Sequence, residues 1–262
     1  MNERAHTLLA TSASCLLHVD KLSLWYGSTR ALRDVSLRIP VRKVTALIGP
    51  SGCGKSTLLR TLNRMNDEVP GVRYAGRVLL DGIDILRPDA DVTALRMRVG
   101  MLFQRPNPFP LSIEENVVFG LRLRGASAAE RRHALERTLH AVGLWDSLAT
   151  RLHESALSLS AEQQQRVCLA RALAMNPDVL LLDEPCSALD PHATAHIESL
   201  IIELSAQYTI VIVTHNLQQA RRIADCSAYL LLGELIEVQP TQSLFTAPQD
   251  PRTADYVQGR YG

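Results

Sequence analysis

The sequence feature that most limits the possible folds of this chain is the glycine-rich stretch GPSGCGKST at residues 49–57. It follows the apolar run VTALI and precedes a run with helical spacing, which predicts a strand, a tight loop and a helix in that order. The stretch matches the pattern G-x-x-x-x-G-K-[ST], whose backbone N–H groups and helix N-terminus surround phosphate oxygens. A phosphate-binding loop is therefore predicted at these residues.

The side chains at the end of this loop have separate predicted tasks. Lys55 would bridge the β- and γ-phosphates, Ser56 would place its hydroxyl on Mg²⁺, and Thr57 would add a phosphate contact. At Cys53 the oriented N–H groups and the adjacent helix N-terminus predict a stabilised thiolate that reacts readily with thiol reagents. The rest of the predicted cradle consists of Gly49, Pro50, Ser51, Gly52 and Gly54.

Polar residues also end three further apolar runs, each typical of a buried strand. Asp183 and Glu184 follow VLLL; Asp183 would hold Mg²⁺ through water, and Glu184 could polarise the water that attacks the γ-phosphate. Gln104 follows VGMLF and His215 lies in VTHN after TIVIV. Because α/β proteins bind ligands at the carboxyl ends of their strands, both are predicted γ-phosphate sensors, and Gln104 is also a candidate Mg²⁺ ligand.

Apolar runs buried on both faces predict a mostly parallel sheet covered by helices, which is an α/β fold. From Ile113 to Met175 the pattern is helical instead, which predicts a helical insertion at about residues 107–175. The stretch AYLLLGELIEV predicts two β segments that turn at Gly233-Glu234. We therefore predict a single domain over residues 17–262 and a disordered leader at residues 1–16.

Composition argues against several other functions. A net charge of +1 gives no reason to expect a nucleic-acid backbone or an anionic membrane as the main partner. No apolar run approaches the ~18 residues that a membrane-spanning helix needs. The cysteines, 5 in all, contain no C-x-x-C pair, which argues against a disulfide framework and a zinc site and favours a reducing cytosol.

The order of the motifs resembles that of an ABC-type ATP-binding cassette. GPSGCGKST, the glutamine of LFQ, LSLSAEQQQR, LLLDEP, SALD and VTH follow one another as in that family. The resemblance implies an ATPase that uses ATP and Mg²⁺, with a RecA-like P-loop NTPase core, an N-terminal antiparallel β region and a helical subdomain. It also implies that Tyr26 stacks on adenine and that Asp190 communicates across a dimer.

The stretch LSLSAEQQQR at residues 157–166 is both a predicted helix start and the counterpart of a family motif. Ser160 and Gln163 form a capping box, so a helix is expected to begin at Ala161. In the family this is the signature motif, usually LSGGQ, which caps the ATP held by the second copy of a head-to-tail dimer. Ser160 and Gln163 match it, whereas Ala161 and Glu162 stand where two glycines are expected.

Glu162 introduces a negative charge where a γ-phosphate is expected. A carboxylate roughly 6–8 Å from one phosphate charge costs about 2–3 kcal/mol at an effective dielectric constant near 20. Unless Glu162 turns to solvent, we expect dimer closure and hydrolysis to be slowed about 10- to 100-fold.

Within the family the chain is similar to the ATPase subunits of phosphate importers, from about Leu17 to Gly262. The similarity is carried by VTALIGPSGCGKSTLLRTLNRMND, VGMLFQRPNPFPLSIEENVVFGLR and the C-terminal tail. It implies a dimer at the cytoplasmic face of the plasma membrane that drives two integral membrane permease subunits and works indirectly with a substrate-binding protein. The RPNPFP segment is expected to lie near the permease.

Two other functions stay open on the sequence. One is a soluble cassette that acts in DNA maintenance or translation, although neither a long coiled-coil insertion nor a second cassette is present. The other is an ATP-binding regulatory subunit with little turnover, which the altered signature motif keeps open. Basal ATPase activity separates this regulatory subunit from an importer ATPase.

Overall fold

The computed structural model describes residues 15–260. They form two units, one of residues 15–96 and 201–260 and the other of residues 97–200. The first strand begins at Cys15, so Cys15 and Leu16 belong to it and not to the leader predicted for residues 1–16. Residues 1–14 of that leader lie outside the described part of the chain.

The described residues form both strands and helices. In chain order the elements of the first half are β1 (Cys15–Tyr26), β2 (Thr29–Pro40), β3 (Val44–Ile48), α1 (Lys55–Thr61), β4 (Val72–Leu80), β5 (Ile83–Asp84), α2 (Val92–Arg98), β6 (Val99–Leu102), α3 (Ile113–Leu123) and α4 (Ala128–Ala141). They are followed by α5 (Trp145–Leu148), α6 (Ala161–Ala174), β7 (Val179–Asp183), α7 (Pro191–Ser205), β8 (Thr209–Val213), α8 (Leu217–Ile223), β9 (Cys226–Leu231), β10 (Glu234–Pro240), α9 (Thr241–Thr246) and α10 (Pro251–Val257).

The first unit contains an antiparallel and a mostly parallel set of strands. The antiparallel set has the order β2-β1-β4-β5, and the other has the order β10-β9-β3-β8. Strand β3 runs parallel to both of its neighbours, and β9 and β10 form the antiparallel pair predicted from AYLLLGELIEV. Every residue of β3 and of β8 is buried, which accounts for their continuous apolar sequences.

The second unit contains the parallel pair β6 and β7 and the helical sequence between Ile113 and Met175. Helices α3, α4 and α6 pack against one another. Each of them starts with a serine capping box, in which Ser112, Ser127 or Ser160 exchanges hydrogen bonds with the residue three positions later. Among the described residues, no helix is both long enough and apolar enough to cross a membrane.

The side chain of Asn116 fixes the chain that leads into α3. It is fully buried, its Nδ2 donates to the carbonyl oxygens of Phe109, Leu111 and Ser112, and its Oδ1 accepts the Phe109 N–H at 2.7 Å. Oδ1 thereby satisfies the Phe109 N–H, and Nδ2 adds a second hydrogen bond to carbonyl oxygens that already accept the N–H groups of Leu111, Ala156 and Asn116.

We expect Asn116→Ala to lower the free energy of unfolding by about 2–4 kcal/mol, because it removes the acceptor of the Phe109 N–H and the other hydrogen bonds of a fully buried amide. Urea denaturation followed by circular dichroism measures this change. Asn107→Ala is the matched control, since Asn107 is exposed and its Oδ1 accepts a hydrogen bond from Arg171 at 2.8 Å, and it should lose less than about 1.5 kcal/mol. An equal loss in the two variants would contradict the role assigned to Asn116.

Candidate active site

The loop of residues 49–54 curls around the ammonium group of Lys55. Lys55 Nζ donates to the carbonyl oxygens of Gly49 and Pro50, at 2.8 Å each, and the residue is 6% exposed. Glycine is required at both ends of the loop. A Cβ at Gly49 would lie 2.2 Å from the carbonyl oxygen of Leu230, and Gly54, from which α1 begins, has a φ of 105°.

The donor set of this loop fits a polyphosphate chain. Ser51 and Gly52 are exposed at its outer edge, and Ser56 and Thr57 are half-buried in the first turn of α1. At Gly52, which has a φ of 75°, an added Cβ would meet nothing within 4 Å, so space lies open beside the backbone there. A lysine ammonium beside backbone N–H groups and hydroxyls is the chemistry by which proteins hold phosphate oxygens.

Cys53 does not have the stabilised thiolate that the sequence predicted. Its side chain is 3% exposed, and its Sγ lies 3.8 Å from Lys55 Nζ. Burial raises the pKa of the Cys53 thiol, and the positive charge of Lys55 only partly opposes this effect. The prediction was wrong because it considered the local N–H groups and not the packing of the loop.

In the second unit, the predicted catalytic residues Gln104 and Glu184 are in contact. Gln104 Nε2 donates to Glu184 Oε2 at 3.0 Å. A carboxylate only accepts hydrogen bonds, so the amide nitrogen must face Glu184 and the amide oxygen of Gln104 faces away from it. Asp183 ends β7 and is 3% exposed.

The backbone of Glu184 has an unusual conformation. Its φ is 48°, in the left-handed region that costs a residue with a side chain about 1–3 kcal/mol. Such conformations cluster at functional sites, where they direct a side chain that an ordinary backbone would turn elsewhere.

Gln165 is a site residue that sequence reasoning missed. It lies on α6, is 1% exposed, and its Nε2 donates to the carbonyl oxygens of Phe103 and Pro185, at 3.0 and 3.3 Å. It therefore ties α6 to the residues next to Gln104 and Glu184. The sequence did contain a signal that Gln165 is buried: at spacings of four residues it shares a helix face with the apolar Leu169 and Leu173.

Helix α6 begins as predicted at Ala161. Ser160 Oγ accepts the N–H of Gln163 at 3.2 Å, and Gln163 Oε1 accepts the N–H of Ser160 at 3.2 Å. The capping box predicted from the sequence is therefore confirmed.

The carboxylate of Glu162 is held by Arg166 and lies beside His196. Arg166, one turn along α6, donates to Glu162 Oε1, and His196 Nδ1 on α7 lies 3.3 Å from the same oxygen. Arg166 Nη2 also lies 3.0 Å from His196 Nδ1. A positive partner offsets most of the charge of Glu162, so the uncompensated carboxylate considered from the sequence is not what the structure contains.

Three other predicted site residues lie near the ends of their elements. Asp190 Oδ1 accepts two N–H groups from the first turn of α7, at 2.9 and 3.0 Å, and these hydrogen bonds lower the pKa of Asp190. His215 is exposed shortly after β8. Tyr26 ends β1, and its hydroxyl donates to Asn66 Oδ1 at 2.8 Å.

Comparison with known proteins identifies the family. The sequence profile described as ABC transporter matches residues 32–187. The phosphate import ATP-binding proteins PstB 1 of Vibrio parahaemolyticus and Vibrio cholerae are 55% and 56% identical to this chain over 253 residues, which are 96% of the chain and 93% of each relative. The chain belongs to the ABC transporter family.

A solved structure supports the same conclusion for the fold of this ABC transporter chain. The structure of cbiO1 from Clostridium perfringens, described as part of the ABC transporter complex cbiONQ, matches with a TM-score of 0.80 and 28% identity. The match covers 94% of this chain and 96% of that chain. The family resemblance drawn from motif order and the predicted α/β P-loop fold are thus confirmed.

We expect iodoacetamide to label Cys53 at least about 10-fold more slowly at pH 7.5 in the folded protein than in the urea-unfolded chain. The reason is that burial both shields the thiol and, by raising its pKa, keeps it protonated. Mass spectrometry of the peptide that contains Cys53 measures the rate, which should rise with pH beyond the ordinary thiol range. Equal rates in the folded and unfolded chains would contradict this assignment.

Proposed function

We propose that this chain is the ATP-binding and ATP-hydrolysing subunit of an ABC importer for inorganic phosphate. The observation that carries the proposal is the 55% identity to PstB 1 of Vibrio parahaemolyticus, which extends over 96% of the chain. Identity to the cbiO1 cassette is only 28% over a similar span. The likeness to phosphate import proteins therefore goes well beyond what a shared cassette fold requires.

Nucleotide binding is proposed to rest on the loop around Lys55. In this proposal Lys55 holds the β- and γ-phosphates, the loop of residues 49–54 surrounds them with N–H groups, and Thr57 adds a contact. Tyr26 stacks its ring on adenine.

Hydrolysis is proposed to use the residues that follow the strands. Mg²⁺, when bound with ATP, neutralises charge on the phosphate oxygens. The hydroxyl of Ser56 and the amide oxygen of Gln104 would hold Mg²⁺ directly and the carboxylate of Asp183 would hold it through water, all with oxygen atoms as Mg²⁺ prefers. Glu184 polarises the attacking water, and the hydrogen bond from Gln104 orients its carboxylate. His215 contacts the γ-phosphate.

The partners are proposed from the same likeness. A second copy would dock head to tail, so that Ser160, Gln163 and the start of α6 cap its ATP, while Asp190 lies at the dimer interface. Two permease subunits in the plasma membrane would receive the motion at the cytoplasmic face, near the RPNPFP segment, and a substrate-binding protein would deliver the ion to them.

Phosphate uptake by cells that lack this chain tests the proposal. The unmodified chain should restore uptake and show ATPase activity. Lys55→Ala should abolish ATP binding and uptake, because the charge facing the β- and γ-phosphates is gone. Glu184→Gln should bind ATP but hydrolyse it about 10²- to 10⁴-fold more slowly, because the group that polarises water is lost.

The control for Lys55→Ala is Lys43→Ala, which removes an exposed lysine paired with Asp225 at 2.9 Å and should preserve uptake. Uptake that does not depend on this chain would overturn the assigned ion. Hydrolysis by Glu184→Gln at the unmodified rate would remove Glu184 from its role. An unmodified chain that binds ATP without hydrolysing it would favour the regulatory subunit.

The altered signature motif should cost little activity. Since Arg166 already compensates the charge of Glu162, we expect Ala161→Gly with Glu162→Gly to change turnover by less than about 3-fold, which corresponds to less than about 0.7 kcal/mol in the barrier. Steady-state ATPase assays measure this. Glu154→Gln, which removes another arginine-paired carboxylate of the second unit, is the control for the lost charge. A rise of 10-fold or more would show that Glu162 does oppose the phosphate.

A further inference from the structure

We propose that Asn66 is a positioning residue that joins the adenine-binding tyrosine to the helix of the phosphate loop. The inference rests on the proposed function, in which Tyr26 stacks on adenine and Thr57 belongs to the phosphate site. It assigns Asn66 the task of making nucleotide affinity depend on the base as well as on the phosphates.

Asn66 bridges the two predicted contact residues directly. Its Oδ1 accepts the hydroxyl of Tyr26 at 2.8 Å, and its Nδ2 donates to the carbonyl oxygen of Thr57 and to Thr61 Oγ1, at 2.9 Å each. The residue is 2% exposed, so water does not compete for these hydrogen bonds. One amide thus connects the end of β1 to the first and second turns of α1.

The chemistry of the groups in this bridge decides which of them donates and which accepts each hydrogen bond. The carbonyl oxygen of Thr57 can only accept, so the amide nitrogen of Asn66 must face it and the amide oxygen must face Tyr26. The Tyr26 hydroxyl therefore donates. A phenol that has to donate to a buried oxygen has one favoured orientation, and this restricts the plane of the ring.

The segment that carries Asn66 is itself held in place. It forms a short 3₁₀-helix, Met65–Glu68, after Arg64, whose φ is 59°. The Arg64 guanidinium binds Asp67 and two carbonyl oxygens of the chain after β5, and Arg96 donates to the carbonyl oxygens of Asn63 and Arg64. Asn66 is therefore a fixed point from which the Tyr26 ring is oriented.

A ring that is oriented before the nucleotide arrives loses less freedom when adenine stacks on it. Removing only the hydroxyl by Tyr26→Phe keeps the stacking surface but releases the ring and leaves Asn66 Oδ1 without its donor. Affinity for ATP should fall about 5- to 10-fold, which is about 1.0–1.4 kcal/mol at 1.4 kcal/mol per tenfold. Inorganic tripolyphosphate has no base, so its affinity should change by less than about 2-fold.

The experiment measures the affinity of the purified full chain for ATP and for tripolyphosphate by isothermal titration calorimetry. Asn66→Ala should weaken both ligands, since it releases Tyr26 and also the carbonyl oxygen of Thr57. Adding Tyr26→Phe to Asn66→Ala should then weaken ATP binding by less than about 2-fold more, because the two residues act through one hydrogen bond.

Tyr74→Phe is the matched control. The Tyr74 hydroxyl donates to Asp67 Oδ1 at 2.6 Å, so the same atom is removed beside the same 3₁₀-helix without touching Asn66. This variant should bind ATP as the unmodified chain does. Comparing its melting temperature with that of Tyr26→Phe shows how much stability the loss of a phenol hydroxyl costs by itself.

The inference is overturned if Tyr26→Phe binds ATP as tightly as the unmodified chain, if it loses ATP and tripolyphosphate affinity by the same factor, or if Tyr74→Phe has the same effect. Failure of the underlying function gives a different result. In that case the unmodified chain binds ATP no better than tripolyphosphate, or Lys55→Ala binds both ligands normally, and the inference falls with it.

Discussion

The two hydrogen bonds from the ammonium group of Lys55 to the carbonyl oxygens of Gly49 and Pro50 determine the shape of the loop that the rest of the site requires. A buried charge is costly unless polar atoms surround it, so the chain folds its own carbonyl groups around the lysine. The loop can follow β3 only because Gly49, which has no side chain, passes close to the backbone of β9. Helix α1 can begin directly after the loop only because Gly54 adopts a positive φ. The loop is consequently a packed part of the first unit.

Buried amide side chains perform a second structural task that recurs in both units. Asn66, Asn116 and Gln165 are each at most 2% exposed, and each donates to main-chain carbonyl oxygens of segments other than its own helix turn. An amide offers donors and an acceptor without carrying a charge, so it can satisfy backbone groups in the interior at a low desolvation cost. Gln165 and Asn116 hold the irregular segments next to Glu184 and Phe109, and Asn66 holds its own 3₁₀-helix against Thr57 of α1.

Features that depend on neighbours in sequence were predictable, and features that depend on folding were not. The buried strands, the phosphate loop and the capping box of Ser160 follow from residues a few positions apart. The neighbours of Glu162 include His196, 34 positions further along the chain, and no local sequence pattern predicts this contact. Cys53 shows the same limit, because the helix dipole that lowers a thiol pKa is visible in sequence, whereas the burial that outweighs it arises only when the loop packs.

The left-handed backbone at Glu184 has an evolutionary consequence. Glycine and asparagine adopt this conformation more readily than glutamate, so selection for a stable fold alone would favour either of them directly after β7. The glutamate at this position, with its carboxylate fixed by Gln104, therefore carries a conformational cost that glycine would avoid. Replacement by glycine would relieve this cost and also remove the carboxylate on which hydrolysis is proposed to depend, so stability and activity oppose each other at this residue.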